Sequence, residues 1–107
     1  MPYKDISAQE FKSLSEKDNF VILDVRAEKE YEEGLIPNHT LVNYFLSDFN
    51  EQLLKLDKSK NYLVYCRSGK RSARACVQME ELGFTGELYN LEGGIMEWNE
   101  TFGKQTN

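Results

Sequence analysis

Apolar residues follow two patterns along this chain. Phe20-Val21-Ile22-Leu23 and Tyr62-Leu63-Val64-Tyr65 are short continuous runs, the signature of strands buried on both faces. Elsewhere the spacing changes to three or four. Ala75, Cys76, Met79 and Leu82 share one face of a helix predicted over 72–82, which Gly83 stops just past its end. Phe49, Leu53, Leu54 and Leu56 predict a helix within 48–56, and Ile95, Trp98 and Phe102 one over 94–102. Near the N-terminus, Ser7 and Glu10 form a capping box, with Ile6 and Phe11 as the hydrophobic staple of a helix running to Ser15. A short helix is expected over 29–33, closed by Gly34 and then Pro37. Segments 40–45 and Leu88-Tyr89 are further candidate strands.

Strands that alternate with helices imply an α/β domain with a mainly parallel sheet. Sites in such sheets form where strand C-termini meet loops. Asp24-Val25-Arg26 and Cys66 both follow strand runs, so the pattern puts them on a common rim. No repeat, linker or low-complexity segment interrupts the chain, and residues 1–107 read as one domain.

Composition narrows the partners. With 40% hydrophobic and 29% charged residues the chain reads as an ordinary globular protein, and no apolar run approaches the roughly 20 residues of a membrane span. The first residues lack the apolar core of a secretory signal, so a cytoplasmic location is expected. A net charge of −5 argues against nucleic acid as a partner. Two cysteines and a single histidine, without a Cys-x-x-Cys pair, support neither a disulfide scaffold nor a metal site, and no cofactor is implied.

Against this acidic background, Arg67, Lys70, Arg71 and Arg74 form a dense basic cluster, with no acidic residue from Cys66 to Met79. Cations at a helix start oppose the macrodipole, so stability alone would not select them. They point instead to a small anion or an acidic surface. The segment Cys66-Arg67-Ser68-Gly69-Lys70-Arg71-Ser72 places one thiol at a strand tip. Ser68 and Gly69 then permit a tight turn of inward-facing N–H groups, and a helix follows. That field favours a thiolate. Cysteine phosphatases place a phosphate-gripping arginine at the position that Ser72 occupies here, whereas this chain has its arginine one residue earlier, at Arg71. The shorter loop suits thiosulfate or a persulfide sulfur better than a phosphate ester. Cys76, on the apolar helix face, reads as a packed core cysteine, with a resolving thiol as the alternative.

In these motifs the chain resembles the rhodanese-like sulfurtransferases in their single-domain form. The marks are Leu23-Asp24-Val25-Arg26, Glu30-Tyr31-Glu32-Glu33-Gly34 with Ile36-Pro37, the loop from Cys66 to Ser72, Gly83-Phe84, and Leu91-Glu92-Gly93-Gly94 with Trp98 following. The resemblance implies a mainly parallel central sheet of about five strands flanked by helices. It also implies a two-step sulfur transfer through a Cys66 persulfide. The N–H groups of Arg67 to Ser72 would hold the outer sulfur. Arg67, Lys70 and Arg71 would attract a small anionic donor, and Ser72 would cap the following helix and donate toward the sulfur. Thiols, cyanide or a sulfur-carrier protein are the implied acceptors. Asp24 and Arg26 are expected to support the rim, Asp24 by tying down loop N–H groups and Arg26 by pairing with Glu30 or a nearby carboxylate. The family's Gly-His-Ile-Pro run reads Gly34-Leu35-Ile36-Pro37 here and continues with Asn38 in a left-handed turn and His39 at the surface. A phosphatase or arsenate reductase on the same scaffold, and a non-catalytic docking module, are the competing readings.

Overall fold

A computed structural model describes residues 3–105. Five strands, β1 (Lys4–Ile6), β2 (Phe20–Asp24), β3 (His39–Leu41), β4 (Asn61–Tyr65) and β5 (Leu88–Leu91), form one sheet in the order β1-β5-β4-β2-β3. Every pairing is parallel. The helices α1 (Ala8–Ser15), α2 (Phe49–Leu54) and α3 (Lys70–Glu81) lie between strands, and α4 (Gly94–Phe102) follows β5. A short 3-10 helix spans Glu28–Glu33.

The continuous apolar runs are the central strands, and their two-residue period explains why both faces must be apolar. Tyr62, Val64 and Cys66 point to one face of the sheet, where they pack with Ala75, Cys76 and Met79 of α3 and with Phe49 and Leu53 of α2. Leu63 and Tyr65 point to the other, against Phe11 of α1 and Ile95 and Trp98 of α4. Phe11 meets both Tyr65 and Trp98 edge-on, with ring centroids 6.2 and 6.0 Å apart. Trp98 is thus the core anchor of the last helix. The Ser7 capping box forms as its residues require: the Ser7 hydroxyl accepts from the Glu10 N–H, and Glu10 accepts from the Ser7 N–H. Ile6 and Phe11 are buried in the same cluster.

Four local expectations change. The edge strand β1 goes unread in the sequence, because three residues with only Ile6 buried carry little apolar pattern. The candidate strand 40–45 is paired only over His39–Leu41. The loop helix begins at Lys70 rather than Ser72, and its N-cap is Gly69 in the left-handed region, so Ser72 does not cap it. His39 is half-buried rather than a surface turn residue. Its ring nitrogens meet the Tyr31 hydroxyl at 2.6 Å and the Ile36 carbonyl at 2.8 Å. Asn38 does take the left-handed conformation, with φ 64°.

Candidate active site

β4 delivers Cys66 to the C-terminal edge of the sheet, beside the end of β2, where the Val25 N–H donates to the Tyr65 carbonyl. The chain turns at once into α3, and Gly69 makes that turn possible. It has φ 94°, and a Cβ there would overlap the Glu92 carbonyl oxygen. The turn aims backbone donors at the thiol. The Gly69 N–H lies 3.1 Å and the Ser72 N–H 3.4 Å from Cys66 Sγ. These two are the loop amides within reach of the thiol sulfur itself.

A second helix start holds the loop from behind. The Ile95 N–H donates to the Cys66 carbonyl at 2.9 Å and the Met96 N–H to that of Arg67 at 3.3 Å. Donors at a helix N-terminus otherwise lack partners, so α4 is docked on the loop by groups that must be satisfied anyway. Gly94 permits the approach: it has φ 64°, and a Cβ would overlap the Arg67 carbonyl oxygen. The Gly93-Gly94 motif thereby belongs to the site although it touches no sulfur.

Ser72 is fully buried, with its Oγ 3.3 Å from Cys66 Sγ and 2.5 Å from Asn90 Oδ1. A hydroxyl has one proton. Asn90 Nδ2 donates to the Gly69 carbonyl at 3.1 Å and to Asp5 Oδ1 at 2.9 Å, both acceptors, so Oδ1 faces Ser72 and accepts. The hydroxyl proton thus has two acceptors in reach, Asn90 Oδ1 and Cys66 Sγ, and the expected donation toward sulfur competes with the shorter contact to Asn90. Asn90 escaped the sequence reading. The available signal was an amide between Tyr89 and Leu91 in an otherwise apolar strand, buried here to 2% exposure.

Asp24 and Arg26 are both fully buried and bonded to each other. Arg26 Nη2 meets Asp24 Oδ2 at 2.9 Å, and its Nε meets Oδ1 at 3.0 Å. The same Oδ1 accepts the Arg26 N–H at 2.9 Å. Asp24 ties down backbone as expected, and of the carboxylates expected to pair with Arg26 it is the nearby Asp24, not Glu30, that does so. Arg26 reaches the Glu30 segment through its main chain, donating from Nη1 to the Glu30 carbonyl at 3.1 Å.

The basic cluster is less free than its sequence suggests. Arg71 makes a two-pronged pair with Glu30, at 2.9 and 2.8 Å. That pair holds the Glu30 carboxyl well below its usual range, at about 2, and raises the Arg71 pKa, to which nearby Cys66 adds a smaller contribution. Arg67 Nε meets Glu33 Oε1 at 2.9 Å, with both side chains half-exposed. Lys70 and Ser68 are exposed. Both line a shallow cleft of about 450 Å³ with Arg74, Asp5, Asn90 and Glu92. A larger cleft, about 630 Å³, lies elsewhere: Phe20, Pro37 and Trp98 line it at the opposite end of β2, and no loop residue does. Cys76 is buried, and burial pushes its thiol pKa far up. That suits a core residue and not a resolving thiol. Among the described residues no group of three or more His, Cys, Asp or Glu could hold a metal, and no helix is long and apolar enough to cross a membrane.

A thiol at the C-terminal edge of a five-stranded parallel sheet, under the amides of a tight loop, defines a class as much as the fold does. The rhodanese-like domain family model matches residues 7–101, and the chain belongs to that family. It is 39% identical over 99 residues to the Bacillus subtilis (strain 168) protein named "Putative sulfurtransferase YtwF", covering 92% of each chain. It is also 39% identical over 98 residues to thiosulfate sulfurtransferase GlpE of Coxiella burnetii (strain RSA 331 / Henzerling II), covering 92% of this chain and 89% of that one. Among solved structures, a rhodanese-like domain protein from Staphylococcus aureus superposes with a TM-score of 0.79 at 30% identity, over 97% of this chain and 98% of that one.

Proposed function

We propose that the protein is a sulfurtransferase that carries a sulfane sulfur on Cys66, from thiosulfate or a persulfide donor to a thiophilic acceptor. The observation that carries the reading is the convergence of the Gly69 and Ser72 N–H groups on Cys66 Sγ. In the first step the thiolate attacks the outer sulfur of the donor. With thiosulfate, a new S–S bond forms, the old one breaks with its electron pair, and sulfite leaves as the dianion. The outer sulfur of the Cys66 persulfide then carries the negative charge, and the N–H groups of the loop from Arg67 to Ser72 stabilise it. In the second step a nucleophile such as a thiolate or cyanide attacks that outer sulfur. The thiolate of Cys66 departs and the enzyme is restored. No general base is needed, because neither step breaks a bond to hydrogen.

The test is intact-mass measurement after incubation with thiosulfate and with a small-molecule persulfide. The expected product is one sulfur atom heavier, is lost in Cys66→Ser, persists in Cys76→Ser and is discharged by cyanide. Unchanged mass with every donor, or an adduct that survives Cys66→Ser, would overturn the proposal. Hydrolysis of a phosphate ester without sulfur loading would favour the phosphatase reading instead.

A further inference from the structure

The two guanidinium groups of the Cys66 loop are already occupied by carboxylates. The stronger pair is Arg71 with Glu30, whose side chains are only 21% and 14% exposed. Glu30 is not free to swing away. Its Oε2 also accepts the Ala27 N–H at 2.9 Å, and its main-chain carbonyl is held by Arg26, itself locked to buried Asp24. Arg71 is held on its other side as well, with its guanidinium carbon 4.9 Å from the ring centroid of Phe45. Phe45 and the adjacent Leu46 are 66% and 54% exposed, an apolar lip with no apparent role in the core. Beside Cys66, the structure thus presents Arg71 as a neutral ion pair with the largely exposed Phe45 ring against it, and exposed Lys70 is the loop cation outside the two pairs.

From this we infer that Glu30 is a specificity-determining residue. By holding Arg71 as a neutral pair it sets the site against small dianionic donors. It favours donors whose sulfane sulfur is attached to an uncharged organic body, which the Phe45 ring can cover. The inference rests on the sulfur-transfer reading and adds to it the chemical class of the preferred donor. A dianion such as thiosulfate must either displace Glu30 from two charge-assisted hydrogen bonds or sit beside its carboxylate. An organic persulfide, R–S–SH, faces neither penalty. The Cys66 thiolate attacks its outer sulfur, which keeps its proton, and the R–S⁻ thiolate leaves. Charge and atoms balance without a further reactant.

The experiment compares wild type with Glu30→Gln, which keeps the volume and an acceptor for the Ala27 N–H. Rates of sulfur loading onto Cys66 are measured with thiosulfate and with 2-hydroxyethyl persulfide, whose organic body is uncharged and which carries at most a single negative charge, across a range of salt. Glu30→Gln is expected to raise kcat/KM for thiosulfate at least about fivefold at low ionic strength, with the gain shrinking as salt rises. The persulfide donor should change by less than about twofold. In Glu30→Gln/Arg71→Gln the thiosulfate gain should vanish, because the liberated charge is gone. An equal change for both donors, or no change for thiosulfate, would overturn the inference. A parallel titration of thiosulfate into Cys66→Ser and Cys66→Ser/Glu30→Gln, followed by NMR, needs no chemistry. Tighter binding in the double variant supports the role of Glu30 even if no donor loads the wild type, and equal binding refutes it. A far-UV circular dichroism spectrum matching wild type shows that the substitution leaves the fold intact.

Discussion

Replacing Asn90 with leucine should make Cys66 more reactive while making the fold weaker. Leucine fills nearly the same volume but offers neither acceptor nor donor. Asp5, exposed at the sheet edge, can turn to water. The Gly69 carbonyl loses its amide partner but keeps the Ala73 N–H at 3.2 Å, so the cost is that of one net hydrogen bond, about 1 kcal/mol. Ser72, released from Asn90 Oδ1, has Cys66 Sγ at 3.3 Å as its nearest alternative acceptor. Hydrogen bonds to charged acceptors contribute about 1.5–3 kcal/mol, and the long reach to sulfur suggests the lower end. At about 1.4 kcal/mol per tenfold change, alkylation of Cys66 by iodoacetamide at fixed neutral pH should speed up by up to about tenfold. The control is the same substitution in a Ser72→Ala background, where no proton is available and the rate should not change. A slower reaction, or a gain that persists without the Ser72 hydroxyl, would sink the reading that Asn90 competes with Cys66 for the Ser72 proton. Urea denaturation supplies the second readout, with a loss of about 1 kcal/mol expected.

Three further outcomes follow from the same contacts. Asp24→Asn strips the charge from a fully buried pair and leaves Arg26 uncompensated, so unfolding free energy should fall by about 3 kcal/mol; a loss under about 1 kcal/mol would mean that the pair is not desolvated. Gly94→Ala should cost at least about 2 kcal/mol and slow sulfur loading, since its Cβ would drive α4 off the Arg67 carbonyl; normal loading at wild-type stability would contradict the docking role of Gly94. The Glu30 carboxyl is held at about 2 against an ordinary 4.5, chiefly by its hydrogen bonds to Arg71, so the pair stabilises the fold fully above about pH 5 and loses that contribution as pH falls toward 2. The stability gap between wild type and Glu30→Gln, about 1–2 kcal/mol after solvent screening, should therefore close over that interval, and a gap that stays constant to low pH would refute the linkage.

The sheet was legible because its two central strands are buried on both faces and carry unbroken apolar runs. β1 was not, since it has a single buried residue and owes its place to pairing with β5. Cys66 could be placed from order alone: a strand, then a thiol, then glycine and a helix. The start of that helix could not, because Gly69 caps it by conformation and has no side chain to announce the fact.

Charge was the least legible property of the site. A run free of acidic residues from Cys66 to Met79 looks like an uncompensated positive patch. The carboxylates that pair with two of its four cations come from the 3-10 helix Glu28–Glu33, which lies on the far side of β3 and α2 in sequence and reaches Arg71 and Arg67 only once β2 and β4 pair. Sequence proximity therefore overstates the field at an α/β site, because each strand end adds its own loop to the rim and the loops titrate one another. The Asp24–Arg26 pair makes this arrangement durable. Its buried guanidinium grips the Glu30 carbonyl, and so fixes the carboxylate that in turn fixes Arg71. A motif that contributes no group to Cys66 itself thus governs the charge beside it. Substitutions at Asp24 should accordingly move the salt dependence of sulfur loading as well as stability.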